Sequence, residues 1–270
     1  MIRNFTFALA LIVLGGAMML APAEMLFSPA SVKGAYAFAE SGFAGGGPET
    51  VVGILNADGA GRIAGSVSIQ RPGMAAIAAA VDGSYDMTAS GTGSMTLSMS
   101  APAADIDSEP FRHVEKFDFV IVNKTDLKAA RSESGVFATA MMEARPQQEF
   151  TLASVKGRYG FDETGLVLPS TTIGELVADG FGGVTGTANL HLPGRVATVA
   201  LFAGQYSVNP DGAGTMTLVM QIPGSSMNTD EPEPRTLVER FNFVLDRTGD
   251  LRAARCDAGV FNTARLDRQE

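Results

Sequence analysis

The 270-residue chain has no Trp, one Cys and two His. Its single thiol, Cys256, has no internal partner, so no disulfide holds the fold and stability must come from packing. In the internal repeat described below its counterpart is Ser132, which favours an inert thiol over a nucleophile. Cationic residues are scarce: 20 Lys and Arg stand against 29 Asp and Glu, a net charge of −9. Such a chain has no field to attract phosphate backbones or anionic lipid, which argues against nucleic acid as a partner. Charged positions of either sign make up 18%, below the usual share of about a quarter, while 46% are hydrophobic. That excludes a disordered chain and a coiled coil. Long helical runs are missing, because 31 Gly and 13 Pro divide the sequence into short apolar stretches joined by turns. There is no GxSxG, no hydrolase-type Ser/His/Asp order, no Gly-rich loop followed by a helix and Lys, and no dinucleotide fingerprint. Ordinary hydrolases, kinases and dehydrogenases are disfavoured, and no cofactor is expected. His113 and His191 fall at non-equivalent positions and no His, Cys or carboxylate cluster has ligand spacing, so no metal is expected.

The N-terminus carries one cation at Arg3, an apolar run from Phe5 to Leu20, and small residues around Ala21-Pro-Ala23. This pattern is that of an export signal over residues 1–23. A retained anchor would need about 20 uninterrupted apolar residues, and this run is shorter and contains Gly15 and Gly16. With no Cys near the cut, lipoprotein acylation is not expected. The mature chain, 24–270, would be exported to the periplasm or the extracellular medium, without stable membrane insertion.

The remainder is one pattern written twice. SVKGAYAF at 31–38 recurs as SVKGRYGF at 154–161, and GILNADGAGRIAG at 53–65 as GELVADGFGGVTG at 174–186. GSYDMTASGTGSMTL at 83–97 recurs as GQYSVNPDGAGTMTL at 204–218, EKFDFVIV at 115–122 as ERFNFVLD at 239–246, and LKAAR at 127–131 as LRAAR at 251–255. Two tandem domains are expected, 24–145 and 151–270, joined by a polar segment containing Pro146. Each copy divides into about eight strand-sized runs, in the first near 33–41, 50–57, 62–71, 75–88, 92–100, 112–122, 126–132 and 135–142. Asn56-Ala-Asp-Gly-Ala-Gly61 and Asn209-Pro-Asp-Gly-Ala-Gly214 read as tight turns; the terminal Glu of a calcium loop is missing. Eight such strands without helices favour an antiparallel sheet that closes on itself, with an open sandwich as the alternative.

These motifs, from SVKGxYxF through DGxGTxTL and FxFV to L-[KR]-A-A-R, resemble the exported bacterial proteins described as allene-oxide-cyclase barrel-like. The second copy matches at Gly157, Tyr159, Phe161, Asp179, Tyr206, Phe241 and Leu251, among others, and the two copies cover nearly all of the mature chain. The resemblance implies an all-β chain of two tandem eight-stranded antiparallel barrels, calycin-like in architecture. It also implies a flexible apolar substrate held in the barrel and guided in its cyclisation. No catalytic set of that family maps residue by residue onto this chain.

Alternation along strands places Tyr36, Phe38 and Glu40 on one side, and likewise Tyr159, Phe161 and Glu163. Glu115, Phe117, Phe119 and Ile121 share a side, as do Glu239, Phe241, Phe243 and Leu245. The rings Phe38, Phe117, Phe119, Phe161, Phe241 and Phe243 are the candidate ligand-binding residues. Glu115, Glu239, Tyr36 and Tyr159 are the candidate acid, base or orienting groups, since a desolvated Glu beside aromatics has a raised pKa. The alternatives are a solvated strand end, or pairing with Arg131 or Arg255. A tight turn at Lys124-Thr125 would set Asp118 opposite Arg131, and Asn242 opposite Arg255. Val114, Val120 and Val122 make the other face of the sixth strand apolar as well, which calls for cover by the partner barrel or another chain. The acidic excursions carrying Asp105, Asp107, Glu109, Asp230, Glu231 and Glu233 read as solvated loops rather than a calcium site. The leading expectation is a non-catalytic tandem barrel that binds a small apolar molecule or a protein partner, homo-oligomers included. Its rivals are a cyclase or isomerase and a structural envelope protein with filled interiors.

Overall fold

The computed structural model describes residues 27–103, 109–146, 148–167, 170–191, 193–194, 196–223 and 234–269. The signal segment and most of both acidic excursions lie outside them, including Asp105, Asp107, Asp230, Glu231 and Glu233.

Eight strands build the first half: β1 (Lys33–Ala44), β2 (Gly47–Asp58), β3 (Arg62–Gln70), β4 (Ile77–Met87), β5 (Thr92–Ala101), β6 (Phe111–Ile121), β7 (Asp126–Arg131) and β8 (Phe137–Arg145). The second half repeats them as β9 (Gly157–Gly165), β10 (Thr171–Ala178), β11 (Gly183–His191), β12 (Thr198–Val208), β13 (Ala213–Ile222), β14 (Arg235–Leu245), β15 (Leu251–Arg255) and β16 (Asn262–Gln269). Each set pairs antiparallel in chain order and closes, β1 on β8 and β9 on β16, into two barrels. Closure leaves no sheet edge to template aggregation.

The repeated glycines allow the wall to bend. A Cβ on Gly65 in β3 would lie 2.0 Å from the Ile54 carbonyl oxygen, and one on its counterpart Gly186 2.1 Å from that of Glu175. Only a residue without a side chain permits so close an approach of neighbouring strands. Gly65→Ala is expected to destabilise the first barrel by about 1–3 kcal/mol, read as a lower midpoint in chemical denaturation. The Asp58 turn is also formed as expected: its Oδ1 accepts the backbone N–H groups of Ala60 and Arg62 at 2.6 and 3.0 Å.

One end of each barrel is sealed by the segment that enters it. Short 3-10 turns at Pro29–Ser31 and Leu152–Val155 lie there. The Tyr85 hydroxyl is 2.8 Å from the carbonyls of Pro29 and Val32, and Tyr206 donates to Leu152 at 2.9 Å. The opposite end, where β1 turns into β2 and β7 into β8, is called the mouth below.

Between the two ends the interiors are filled. Phe38 meets Phe117 edge-to-face at 6.1 Å in the first barrel, and Phe161 meets Phe241 at 6.3 Å in the second. Phe38, Leu55, Leu97 and Phe117, and likewise Tyr159, Leu176 and Leu218, have no accessible surface at all. A void large enough for water would register as exposed area on its lining, so no such void borders these side chains.

The expected Asp118–Arg131 pairing is corrected by the register. Arg131 lies opposite Phe117 and Asp118 opposite Ala130; in the second barrel Arg255 lies opposite Phe241 and Asn242 opposite Ala254. A slip of one residue reverses the face. Both arginines therefore point inward.

The barrels meet through β1 and β2 of the first and β14 and β15 of the second. Ala37, Val52, Ile54, Val244 and Ala254 form a small separate core between them. Around it Arg252 donates to Glu143 at 2.5 and 2.6 Å, Asn242 to Ser68 Oγ at 2.7 Å, Gln70 to the Asp257 carbonyl at 3.2 Å, and Arg145 to the Leu245 carbonyl at 2.5 Å.

Candidate functional site

Under the mouth of the first barrel the aromatic fill gives way to charge. Arg131, from the end of β7, directs Nη1 at three carboxylates: Glu40 of β1 at 3.0 Å, Glu49 of β2 at 3.1 Å and Glu115 of β6 at 3.1 Å. Its Nε and Nη2 donate to Glu133, each at 3.0 Å, and its guanidinium carbon stands 5.5 Å from the centre of the Phe117 ring. Arg71, just past β3, holds Glu49 at 2.8 Å. His113 Nε2 lies 3.2 Å from Glu115 and 3.6 Å from Glu49. The three carboxylates that Arg131 Nη1 faces are essentially inaccessible, which overturns the solvated strand-end alternative for Glu115 and leaves the Arg131 pairing.

The second barrel keeps a reduced version. Arg255 Nη1 reaches Glu239 at 2.7 Å and Glu163 at 3.3 Å, its Nη2 lies 2.8 Å from Asp257, and Asn262 donates to Glu163 at 2.8 Å. Glu40, Glu115, Arg131 and Glu133 thus correspond to Glu163, Glu239, Arg255 and Asp257. What both copies retain belongs to the barrel itself. Only the first has Glu49, Arg71 and His113, whose counterparts are Ser170, Leu192 and Leu237.

Burial sets the protonation. Desolvation, reinforced by neighbouring Glu115, holds Glu40 well above the usual carboxylate range against the pull of Arg131. Glu49 is desolvated too, but neighbouring His113 and the charges of Arg71 and Arg131 leave it below that range. His113 is raised to about 9, first by Glu115 and then by Glu49. In the second barrel, desolvation and then the charge of Glu163 push Glu239 up to about 8 against Arg255. Three basic side chains, Arg71, Arg131 and His113, thus stand among the four carboxyl groups of Glu40, Glu49, Glu115 and Glu133.

This arrangement suits packing better than proton transfer. An imidazole protonated at neutral pH can donate a proton but not accept one, and a reacting atom must come within about 3 Å of a general acid or base. Glu40, Glu49, Glu115 and Glu163 offer no surface for that approach. Glu49, His113 and Glu115 do bring one ligand atom each within 4.8 Å of one another, a grouping that sequence spacing does not show. Arg131 already touches both carboxylates and Arg71 touches Glu49, so an added cation would meet positive charge nearby.

The structure does not bring the sequence candidates into one site. Tyr36 lies on the Glu40 face but four residues away along β1, about 13 Å. Burial and then Tyr85 raise its hydroxyl pKa. Tyr159 sits toward the sealed end of its barrel, its hydroxyl 3.1 Å from Arg268, whose guanidinium lies over the ring. Phe38, Phe117, Phe119, Phe161, Phe241 and Phe243 are core rings, so a luminal ligand would have to displace them. Burial raises the thiol pKa of Cys256, against a nucleophilic role. No protein-family model and no curated protein matches the chain.

The shifts at His113 and Glu239 imply a pH dependence. Both groups bind a proton more tightly folded than unfolded, so their contribution is complete below the unfolded pKa and is lost as pH rises through the folded one. The windows are 6.5 to about 9 for His113 and 4.5 to about 8 for Glu239. Thermal melts should show the full chain losing stability from pH 5 to pH 9, with the upper part of the loss abolished in His113→Gln. A melting temperature that rises over that interval would contradict this assignment.

Proposed function

We propose that the protein is an exported, non-catalytic tandem barrel that acts through its outer faces on a protein partner. The observation that carries this reading is the filling of both interiors: the rings on which a luminal ligand would rest are buried, with at most 5% of any of them exposed, and the carboxylates above them are paired with Arg131 and Arg255. The signal-like N-terminus supports export. Lys116, Asp118 and Lys128 on the outer wall of the first barrel are unlike a lipid-facing apolar band, which supports a water-exposed barrel.

The test is to incubate the purified full chain with a lipid extract of its host, then identify what stays bound and whether it is altered. Nothing retained, or only traces equal to those on a heat-unfolded control, is expected. A retained apolar molecule would overturn the reading. If that molecule emerges chemically changed, and the change is lost in Glu115→Gln and Glu239→Gln, the cyclase or isomerase reading takes its place.

A further inference from the structure

We infer that the partner is a second copy of this chain, and that copies join head to tail by reusing the contact that already joins the two barrels. This deepens the protein-partner reading and rests on it.

The internal repeat supplies the reason. The first barrel meets the second with the outer face of β1 and β2, and the second receives it on the outer face of β14 and β15. Because the barrels are copies, each of these faces exists twice. The receiving face of the first barrel, on β6 and β7, and the presenting face of the second, on β9 and β10, are left without a partner. Val244, at the centre of the used receiving face, is fully buried, whereas its counterpart Val120 is 42% exposed. A cleft of about 620 Å³ lies over that bare face, lined by Asp118, Val120, Lys128 and Ala130. These are the positions that hold Asn242, Val244, Arg252 and Ala254 in the filled version.

The unused faces keep the chemistry of the used ones. Arg252 with Glu143 becomes Lys128 with Asp267, still cation with carboxylate, although Asp267 already holds Arg265 and lies 3.6 Å from Arg252 within the chain. Asn242 donating to Ser68 becomes Asn189 donating to Asp118, the roles exchanged but the match kept. The donors Arg145 and Gln70 become the donors Gln269 and His191. At the apolar centre Val52 becomes Ile173, which is 55% exposed. The departures are Ile54, replaced by Glu175, and on the neighbouring strand Ala35, Ala37 and Ala39, replaced by Arg158, Gly160 and Asp162; Glu175 and Arg158 pair with each other on that face. The contact between chains is accordingly weaker than the one within the chain, and reversible.

The geometry leaves room for it. Gln70 and Asp257 meet at the mouths, and Arg145 and Leu245 at the sealed ends, so both mouths point to one side. On each barrel the presenting and receiving faces are three strands of eight apart, about 135° around the wall, wider than the roughly 60° of a three-barrel ring. Further barrels therefore add without overlapping the first two. Because the contact is heterologous, it propagates until a ring closes or a filament forms.

Sedimentation velocity of the full chain over about a hundredfold range of concentration is expected to show species heavier than the monomer. Val120→Arg, at a position exposed in the single chain, should weaken association about tenfold or more, while Ala78→Arg on an unrelated outer strand should not. A second measurement fixes the pairing: in a Cys256→Ser background, Asp118→Cys chains mixed with Asn189→Cys chains should form a disulfide between copies. A monomer at every concentration, association indifferent to Val120→Arg, or no cross-link between those two cysteines would each overturn the inference. None of these outcomes bears on what the lipid extract leaves bound, so the two readings fail separately.

Discussion

Replacing Arg131 with Met is expected to destabilise the first barrel by about 3–5 kcal/mol, the range for removing one partner of a buried ion pair. The guanidinium is the common neighbour of Glu40, Glu49 and Glu115, and its loss leaves carboxylates in a dry interior with Arg71 and His113 as the remaining cations. Met retains much of the aliphatic stem and loses the guanidinium that stands over Phe117, so most of the loss is electrostatic. Combining Arg131→Met with Glu40→Gln and Glu115→Gln should recover much of the stability. Denaturant unfolding of the full chain reads both, with the second barrel as internal reference. A single variant as stable as the parent would mean that the cluster is hydrated and weakly coupled, contrary to its burial.

The second large effect concerns the joint between barrels. Val244→Asp places a charge where Val244 now has no accessible surface, against Ala37, Val52 and Ile54. Burying it unpaired would cost about 2–4 kcal/mol, and the barrels can avoid that cost by separating. The expected result is a larger hydrodynamic radius and rapid proteolysis within the connecting segment between Arg145 and Phe150, with each barrel keeping its β-sheet circular dichroism. Loss of that spectrum would show that Val244 supports the barrel wall rather than the joint.

Much of this architecture is legible in the sequence because it is stated twice. The displacement between copies locates the repeat, and strand alternation puts Phe38 with Glu40, and Glu115 with Phe117, on shared sides; closure of the barrel is what makes those sides the buried ones. The orientation of Arg131 is less accessible, because it depends on one residue of loop length. Asn123 and Asp126 close the β6–β7 loop through side-chain hydrogen bonds, with Asn123 also accepting from Thr125, and this wider turn shifts the register. Glu49, Arg71 and His113 are far apart in the chain, and only closure brings them together. The available signal was a difference: at all three positions the first copy is ionisable and the second is not. The joint was half legible, since the apolar outer face of β6 called for cover. In the structure its counterpart on β14 is covered by the first barrel while β6 itself stays bare.

Xenon is the most direct probe of the filled interiors, because it enters apolar voids that exclude water. Crystals of the protein under xenon pressure are expected to show no xenon within the ring of Phe38, Leu55, Leu97 and Phe117, nor within that of Phe161, Leu176, Leu218 and Phe241. Xenon bound inside either ring would reveal space for a small apolar molecule and contradict the account.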